Sequence, residues 1–507
     1  MTRQMPTLPI PEVTVAATSR DQANCHEGGH HTPENESLCR DFHTNWPATS
    51  PPSTSWTAWP QGIARTPWKP SSGPLLALGR DRAAPALLAL ALLTPPALAT
   101  DFTSQDFLTG NWGGTRDAWQ AQGLDFRLNY TAEPLANVAG GEILGGTYAD
   151  NIGLDLHFDL DRLLGVPHTR LLVKLSKRDG TSVSQRFIAP SAGGNTFTAQ
   201  EVFGTENFKV VNVQFNTRLL EDRLDLAYGR LVANDDFLSS PLYCQFVNNS
   251  FCGSPKAVFL QNPFTFTAYP VATWGARLRY DTPGRDWTLQ AAIYDGDPEL
   301  KDGDFLLPSQ NPNGTNWGLG DNGVTLAGEV HYHHQRDSDP GLPGVYKLGG
   351  FYLTGDYEDL SDPLGGTVKG DGMVWLLAEQ MLYRAAPGSS RHLSAFGSLV
   401  FSLTDKVNKM TNYFNAGLVY QGLFPARPRD KTGLGITAGW YSSEYNDGLQ
   451  AVGLAEKDYE AVVEINHRFV LGHGLALQPD LQYIIRPGGT GDIDNALVVG
   501  AKVSLDF

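Results

Sequence analysis

The chain has 507 residues, with 54 glycines, five methionines, 10% aromatic and 18% charged residues, and a net charge of -16. Abundant glycine and scarce methionine point away from a helical protein, and the acidic balance excludes a nucleic-acid binder, which needs a basic surface to displace counterions from phosphate. A mean hydropathy of -0.25 excludes a helical membrane protein, since no run of roughly 18 apolar residues occurs, but leaves β-barrels untouched because their alternating strands average out to polar.

Residues 1–79 hold 11 of the 33 prolines and follow neither a helical nor a strand period, so they build no core and are expected to be a disordered extension from a start assigned too early. Residues 80–99 then predict a secretory signal peptide. Arg80-Asp81-Arg82 precedes an apolar run from Ala83 to Leu93, the prolines Pro95-Pro96, and Ala97-Leu98-Ala99 with small residues where cleavage occurs. Cys25-His26-Glu27-Gly28-Gly29-His30 spells a zinc-protease pattern, but two central glycines in such a segment do not form the helix that would place both imidazoles on one face. No metal centre and no cofactor are expected from it.

Residues 100–122 predict a short helical lead-in, and from residue 123 to 507 segment after segment alternates with period two. Leu124, Phe126, Leu128 and Tyr130 oppose Asp125, Arg127, Asn129 and Thr131, and the pattern recurs about sixteen times to Leu497/Val499/Ala501/Val503/Leu505/Phe507. Connectors alternate between short turns with Pro, Gly or Asp, such as 219–222 and 282–285, and long loops, such as 179–206, 232–272 and 295–322. Together these predict an all-β fold, a transmembrane antiparallel β-barrel of about 16 strands with a short N-terminal helix. Aromatic pairs near strand ends, Trp274/Tyr280, Trp440/Tyr441, Tyr413/Tyr420 and Tyr483, are expected in interfacial girdles against outer-membrane lipids.

By parity the inward charged positions are Arg127, Glu133, Asp155, Lys174, Arg178, Arg277, Arg279, Glu329, His331, Glu460, Glu464 and Arg468. A lumen of one sign would select ions, whereas interleaved Arg and Glu matches a neutral polyol. Arg277 and Arg279 lead the set, because a guanidinium fork donates to two adjacent hydroxyls. At a wet site their loss would change stability little. The loop 232–272 is the third external one, and in a sixteen-stranded channel a loop there is expected to fold inward and narrow the pore. Asp235, Asp236, Phe237, Tyr243, Phe246, Phe251 and Lys256 are its constriction candidates, and Cys244 with Cys252 would close a disulfide ring in an exported protein.

Other motifs carry less. Gly318-x-Gly320-x-x-Gly323 opens no helix, His331 and His333 share a face and are read as lining a wet pore, and Asp295/Asp297 with Asp302/Asp304 fall short of a Ca²⁺ loop pattern, so loop calcium stays unsupported. No G-x-S-x-G motif is present. A barrel enzyme or a structural, adhesive barrel remains as the alternative class.

The separated blocks Leu108-Thr-Gly-Asn-Trp-Gly-Gly-Thr-Arg116, Tyr228-Gly-Arg230, Asp235-Asp-Phe237, Tyr243-Cys-Gln-Phe246, Thr273-Trp-Gly275, Ile293-Tyr-Asp-Gly296 and Gln478-Pro-Asp-Leu-Gln-Tyr483 occur in order. With them the stretch from Phe107 to Phe507 resembles the carbohydrate-selective, OprB-type porins of Gram-negative bacteria. The resemblance implies a sixteen-stranded outer-membrane channel that admits glucose and related mono- and disaccharides by passive diffusion. A general diffusion or ion porin is the runner-up. It also implies that the terminal strand ending at Phe507 is offered to the barrel-assembly machinery, and it leaves the oligomeric state open between monomer and homotrimer.

Overall fold

The structure, a computed structural model, describes residues 107–203, 207–252, 255, 266–301, 309–335 and 341–507. The expected extension and signal peptide, Lys256, Asp302 and Asp304 lie outside the described residues.

Sixteen strands form one closed antiparallel barrel in which every strand pairs with its neighbours in sequence and β16 returns to β1. They are β1 (Leu124–Ala139), β2 (Gly145–Asp159), β3 (Thr169–Gly180), β4 (Phe208–Leu219), β5 (Leu224–Leu231), β6 (Thr273–Asp281), β7 (Trp287–Asp295) and β8 (Val324–His334), followed by β9 (Gly344–Glu358), β10 (Thr367–Arg384), β11 (His392–Ser402), β12 (Met410–Gln421), β13 (Lys431–Tyr441), β14 (Tyr459–Gly472), β15 (Leu475–Ile485) and β16 (Ala496–Asp506). Closure satisfies all ladder hydrogen bonds without an exposed edge, the requirement for a sheet in hydrocarbon.

Alternation sets the two faces as the sequence predicts. Along β7, Trp287, Leu289 and Ile293 are exposed on the outside, while Thr288, Gln290, Ala292 and Tyr294 are buried within. The outer face elsewhere carries exposed Leu278, Leu326, Leu376, Leu399, Leu434 and Ile465, the apolar band of a membrane barrel. One aromatic group lies at the turn end, where Trp287 packs on Tyr332 (5.0 Å) and Tyr332 on Tyr346 (6.3 Å). The other lies at the loop end, with Trp440 on Tyr459 (6.4 Å) and Trp274 on Trp317 (6.1 Å). Two expected girdle members are corrected: Tyr413 and Tyr441 have inward parity, and Tyr413 is fully enclosed and donates to the Ser250 carbonyl (2.6 Å).

Connectors alternate between the two ends, although 140–144, 359–366 and 403–409 at the loop end are as short as turns. Two loops matter for function: L2 (181–207) and L3 (232–272), the latter being the third at that end and opening with the one-turn helix α3 (Ala233–Asp236) once α1 and α2 below are counted. The lead-in forms α1 (Thr115–Gln122), stopped by Gly123 at φ 99°, whose N–H closes onto Trp119 and Gln120. Arg116 of α1 donates to the backbone oxygen of Phe507 (2.8 Å) and stacks on Phe107, Trp112 and Phe126. A second short helix, α2 (Leu160–Leu164), fills the β2–β3 turn with Asp159 as its N-cap.

Candidate functional site

L3 carries an apolar content that water would not tolerate outside: Phe237, Leu238, Tyr243, Phe246, Val247, Phe251 and Phe266 are all fully buried. They are buried inside the barrel. Phe246 stacks on Phe251 (4.5 Å) and meets Phe396 of β11 (5.5 Å), Tyr243 meets the same ring (5.3 Å), and Phe266 stacks on Phe351 of β9 (4.9 Å). Space for these rings comes from a wall without side chains. A Cβ at Gly435 of β13 would sit 2.7 Å from Phe246 and 3.0 Å from Phe251, inside the distance real contacts permit. Cys244 and Cys252 are joined by a disulfide, which ties this part of L3 into a ring.

Four inward glutamates hold the loops. Glu464 of β14 accepts from the N–H groups of Val247 (2.7 Å) and Asn248 (2.9 Å). Glu460 accepts from those of Phe197 (2.6 Å), Thr196 (2.9 Å) and Gly488 (2.7 Å), and Glu133 from that of Val202 (3.2 Å). Glu329 accepts from the Leu238 N–H (3.0 Å) and the Trp375 indole (2.6 Å). Lys347 of β9 adds a donor to the Ser239 carbonyl (2.6 Å). Backbone donors that enter the barrel without strand partners need acceptors, and a carboxylate supplies two. These four side chains have the predicted inward parity, but their burial corrects the picture of them as wet lumen charges. The same holds for His331, whose Nε2 lies 2.6 Å from Glu329, and for His333, which meets the Thr288 hydroxyl (2.9 Å). Phe237, Tyr243, Phe246 and Phe251 likewise hold the loop in place and do not face the lumen.

With L2 and L3 seated against β8–β15, and L2 also held by Glu133 of β1, the polar inner wall of β2–β6 and of the turn half of β1 is left facing them. Here Arg127 is exposed, and Asp155, Lys174, Arg178 and Arg279 are half-buried, as is Arg468 on β14. Arg178 lies over Tyr269 (5.3 Å) and Arg468 donates to Ser504 (3.1 Å). The α3 end of L3 reaches this wall: Lys174 pairs with Asp235 (3.0 Å), and Arg277 pairs with both Asp236 (3.2 Å) and Asp225 of β5 (2.5 Å). Burial pushes the Asp236 carboxyl up, against the opposing pull of Arg277. Arg277 is itself buried, which corrects the expectation of a wet residue whose loss would cost little. Between the charged rows runs an amide ladder on β4 that the charge pattern did not reveal. Asn212 donates to Gln214 (3.1 Å) and Gln214 to Asn216 (2.8 Å). Strand alternation with Val213 and Phe215 puts these amides on the inner face, a signal that charge pattern alone does not carry.

Among the described residues, the one group of three metal-type ligands is Glu201 with Cys244 and Cys252, whose sulfurs are bonded to each other. Asp295 and Asp297 accept from the loop N–H groups of Gly320 and Lys301.

The family model for the carbohydrate-selective porin, OprB family, matches residues 145–507. Porin B of Pseudomonas aeruginosa is 30% identical over 452 residues, which span 83% of this chain and 96% of that protein. The putative porin QuiX of Acinetobacter baylyi is 28% identical over 439 residues, 81% of this chain and 95% of its own. Among solved structures, the high-pH structure of Pseudomonas putida OprB is similar with a TM-score of 0.72 and 27% identity, covering 80% of this chain and 99% of that one.

Proposed function

Since the chain belongs to the OprB family of carbohydrate-selective porins, channels of the bacterial outer membrane, we propose that mono- and disaccharides diffuse passively between the wall of β1–β6 and the inserted L3. The observation that carries this reading is the division of the interior. One half is occupied by loops whose backbone is anchored on Glu329, Glu460 and Glu464, with L2 also held by Glu133 at the edge formed by β1. The other half presents amides and paired charges of both signs. Sugar hydroxyls both donate and accept, and such a wall exchanges water for side-chain partners without binding so tightly that the solute stays. Ion pairs such as Lys174–Asp235 mute the field of the charges they join.

In this reading the loop end faces the outside of a Gram-negative cell, the turns face the periplasm, and lipids contact the apolar band. The final strand β16, with Phe507 directly after it, is what the assembly machinery engages. Liposome swelling with sugars of increasing size tests the transport claim. Entry of glucose and a disaccharide with exclusion of larger oligosaccharides is expected, whereas equal rates for sugars and for unrelated solutes of matched size would leave a general diffusion pore.

A further inference from the structure

Arg279 stands on the inner face of β6 with its neighbours already committed. On one side its cross-strand partner is Asp225, but one carboxylate oxygen of Asp225 is bound by Arg277 (2.5 Å) and the other faces Arg218 (3.6 Å). On the other side stands Gln290, whose amide donates to the Asp236 carbonyl (2.7 Å) and to Glu329 (3.1 Å). Glu329 in turn is occupied by Leu238, Trp375 and His331. Among the described residues Arg279 has no ion pair and no hydrogen bond. It lines a cavity of about 510 Å³ at the turn end of the lumen, whose walls hold five arginines against three aspartates. Of those aspartates, Asp225 is taken as described, Asp281 accepts from the Thr288 hydroxyl (2.5 Å), and Asp222 is exposed on its turn. Asn216, the end of the amide ladder, is part of the same wall.

We infer that this cavity is a subsite for sugar acids, hexose-sized polyhydroxy carboxylates such as aldonates and uronates, with Arg279 as the carboxylate partner and Asn216 within reach of a hydroxyl. The inference rests on the reading of the lumen as a sugar path. A guanidinium stays charged at every physiological pH and presents a fork that matches a carboxylate. In a partly hydrated wall it holds that group weakly enough for release. A neutral sugar has nothing to offer in place of the missing counter-ion, so the site distinguishes the two classes.

The test is block of ion current through single channels in planar bilayers, with gluconate and glucose compared at fixed ionic strength. Wild-type protein is expected to reach half-block with gluconate at a concentration about fivefold lower than with glucose. In Arg279→Gln that ratio falls to about one, and in Arg279→Lys, which keeps the charge without the fork, it falls between. Equal block by the two solutes in wild type, or an undiminished ratio in Arg279→Gln, overturns the subsite. Absence of block by glucose and gluconate alike in wild type instead overturns the carbohydrate path itself. Heat-dependent migration on gels confirms that each variant forms the barrel before its current is read.

Discussion

Replacing Glu464 with Ala should release the ring of L3 from the wall. The side chain is fully buried and accepts from Val247 N–H, Asn248 N–H and the Asn466 amide. A hydrogen bond to a charged acceptor contributes about 1.5–3 kcal/mol, and a buried donor left without an acceptor costs about 1–3 kcal/mol. Two backbone donors are orphaned at once, so the docked loop loses about 3–6 kcal/mol, comparable to a large part of a domain's stability. The aromatic seat at Phe396 and the Gln245–Asn466 contact (2.7 Å) remain, so the barrel persists while the loop exchanges between seated and released forms. Single-channel recording should show a new, higher conductance level in Glu464→Ala and a smaller effect in Glu464→Gln, whose amide oxygen still serves one N–H. Conductance and sugar block identical to wild type in Glu464→Ala would refute the claim that this carboxylate anchors the constriction.

Other substitutions probe the same architecture. Arg277→Ala leaves Asp225 and Asp236 facing each other without their shared cation, and thermal melting should report a loss of about 3–5 kcal/mol. Gly435→Val drives a side chain into Phe246 and should cost about 1–3 kcal/mol and raise conductance, while Gly397→Ala, with no atom nearer than 3.5 Å to the added carbon, should change neither. Alkylation without reductant should leave Cys244 and Cys252 unlabelled, and labelling of both would refute the disulfide. Between 359–366 and 403–409, burial pushes the Asp359 carboxyl up, but hydrogen bonds from Ser361 and Lys406 together outweigh it and hold the carboxyl below its ordinary range. A depressed folded value means the contact is at full strength above the ordinary range near about pH 4 and weakens as pH falls through the depressed value. Hydrogen exchange at Leu360, which donates to the Lys406 carbonyl (2.8 Å), should therefore quicken only in strong acid.

Period-two alternation was sufficient to place all sixteen strands, because one face must meet lipid and the other must not, and a slip of one residue would reverse both. Parity names a face but not what lies against it. Glu464 and Arg127 are equivalent in pattern, yet one is sealed under a loop and the other is exposed. What separates them is where L3 comes to rest, which depends on contacts between residues hundreds of positions apart, such as Val247 with Glu464 or Phe246 with Gly435. A signal was present nonetheless. Phe351, Trp375 and Phe396 occupy inward positions where a water-filled lumen would reject them, and Gly435 and Gly439 alternate inward on β13. Large rings and missing side chains on one arc of wall mark a seat for something apolar.

The seam between β1 and β16 bears on how the barrel comes to exist. Fifteen of the sixteen strand pairings join neighbours in sequence and so resemble a succession of hairpins, most of them with a short connector to close. The last joins Asn129 to Asp506 and is clasped by the Arg116–Phe507 contact, 391 positions apart. Apart from the seating of the loops, the slow, non-local search in strand pairing is thus concentrated in one event. Until it happens, the outer edges of β1 and β16 stand open, and an open edge recruits any strand that comes near. For this chain the dangerous interval is the time a nearly finished sheet waits for its two ends to meet, and agents that shield a sheet edge would protect it more than agents that speed hairpin formation.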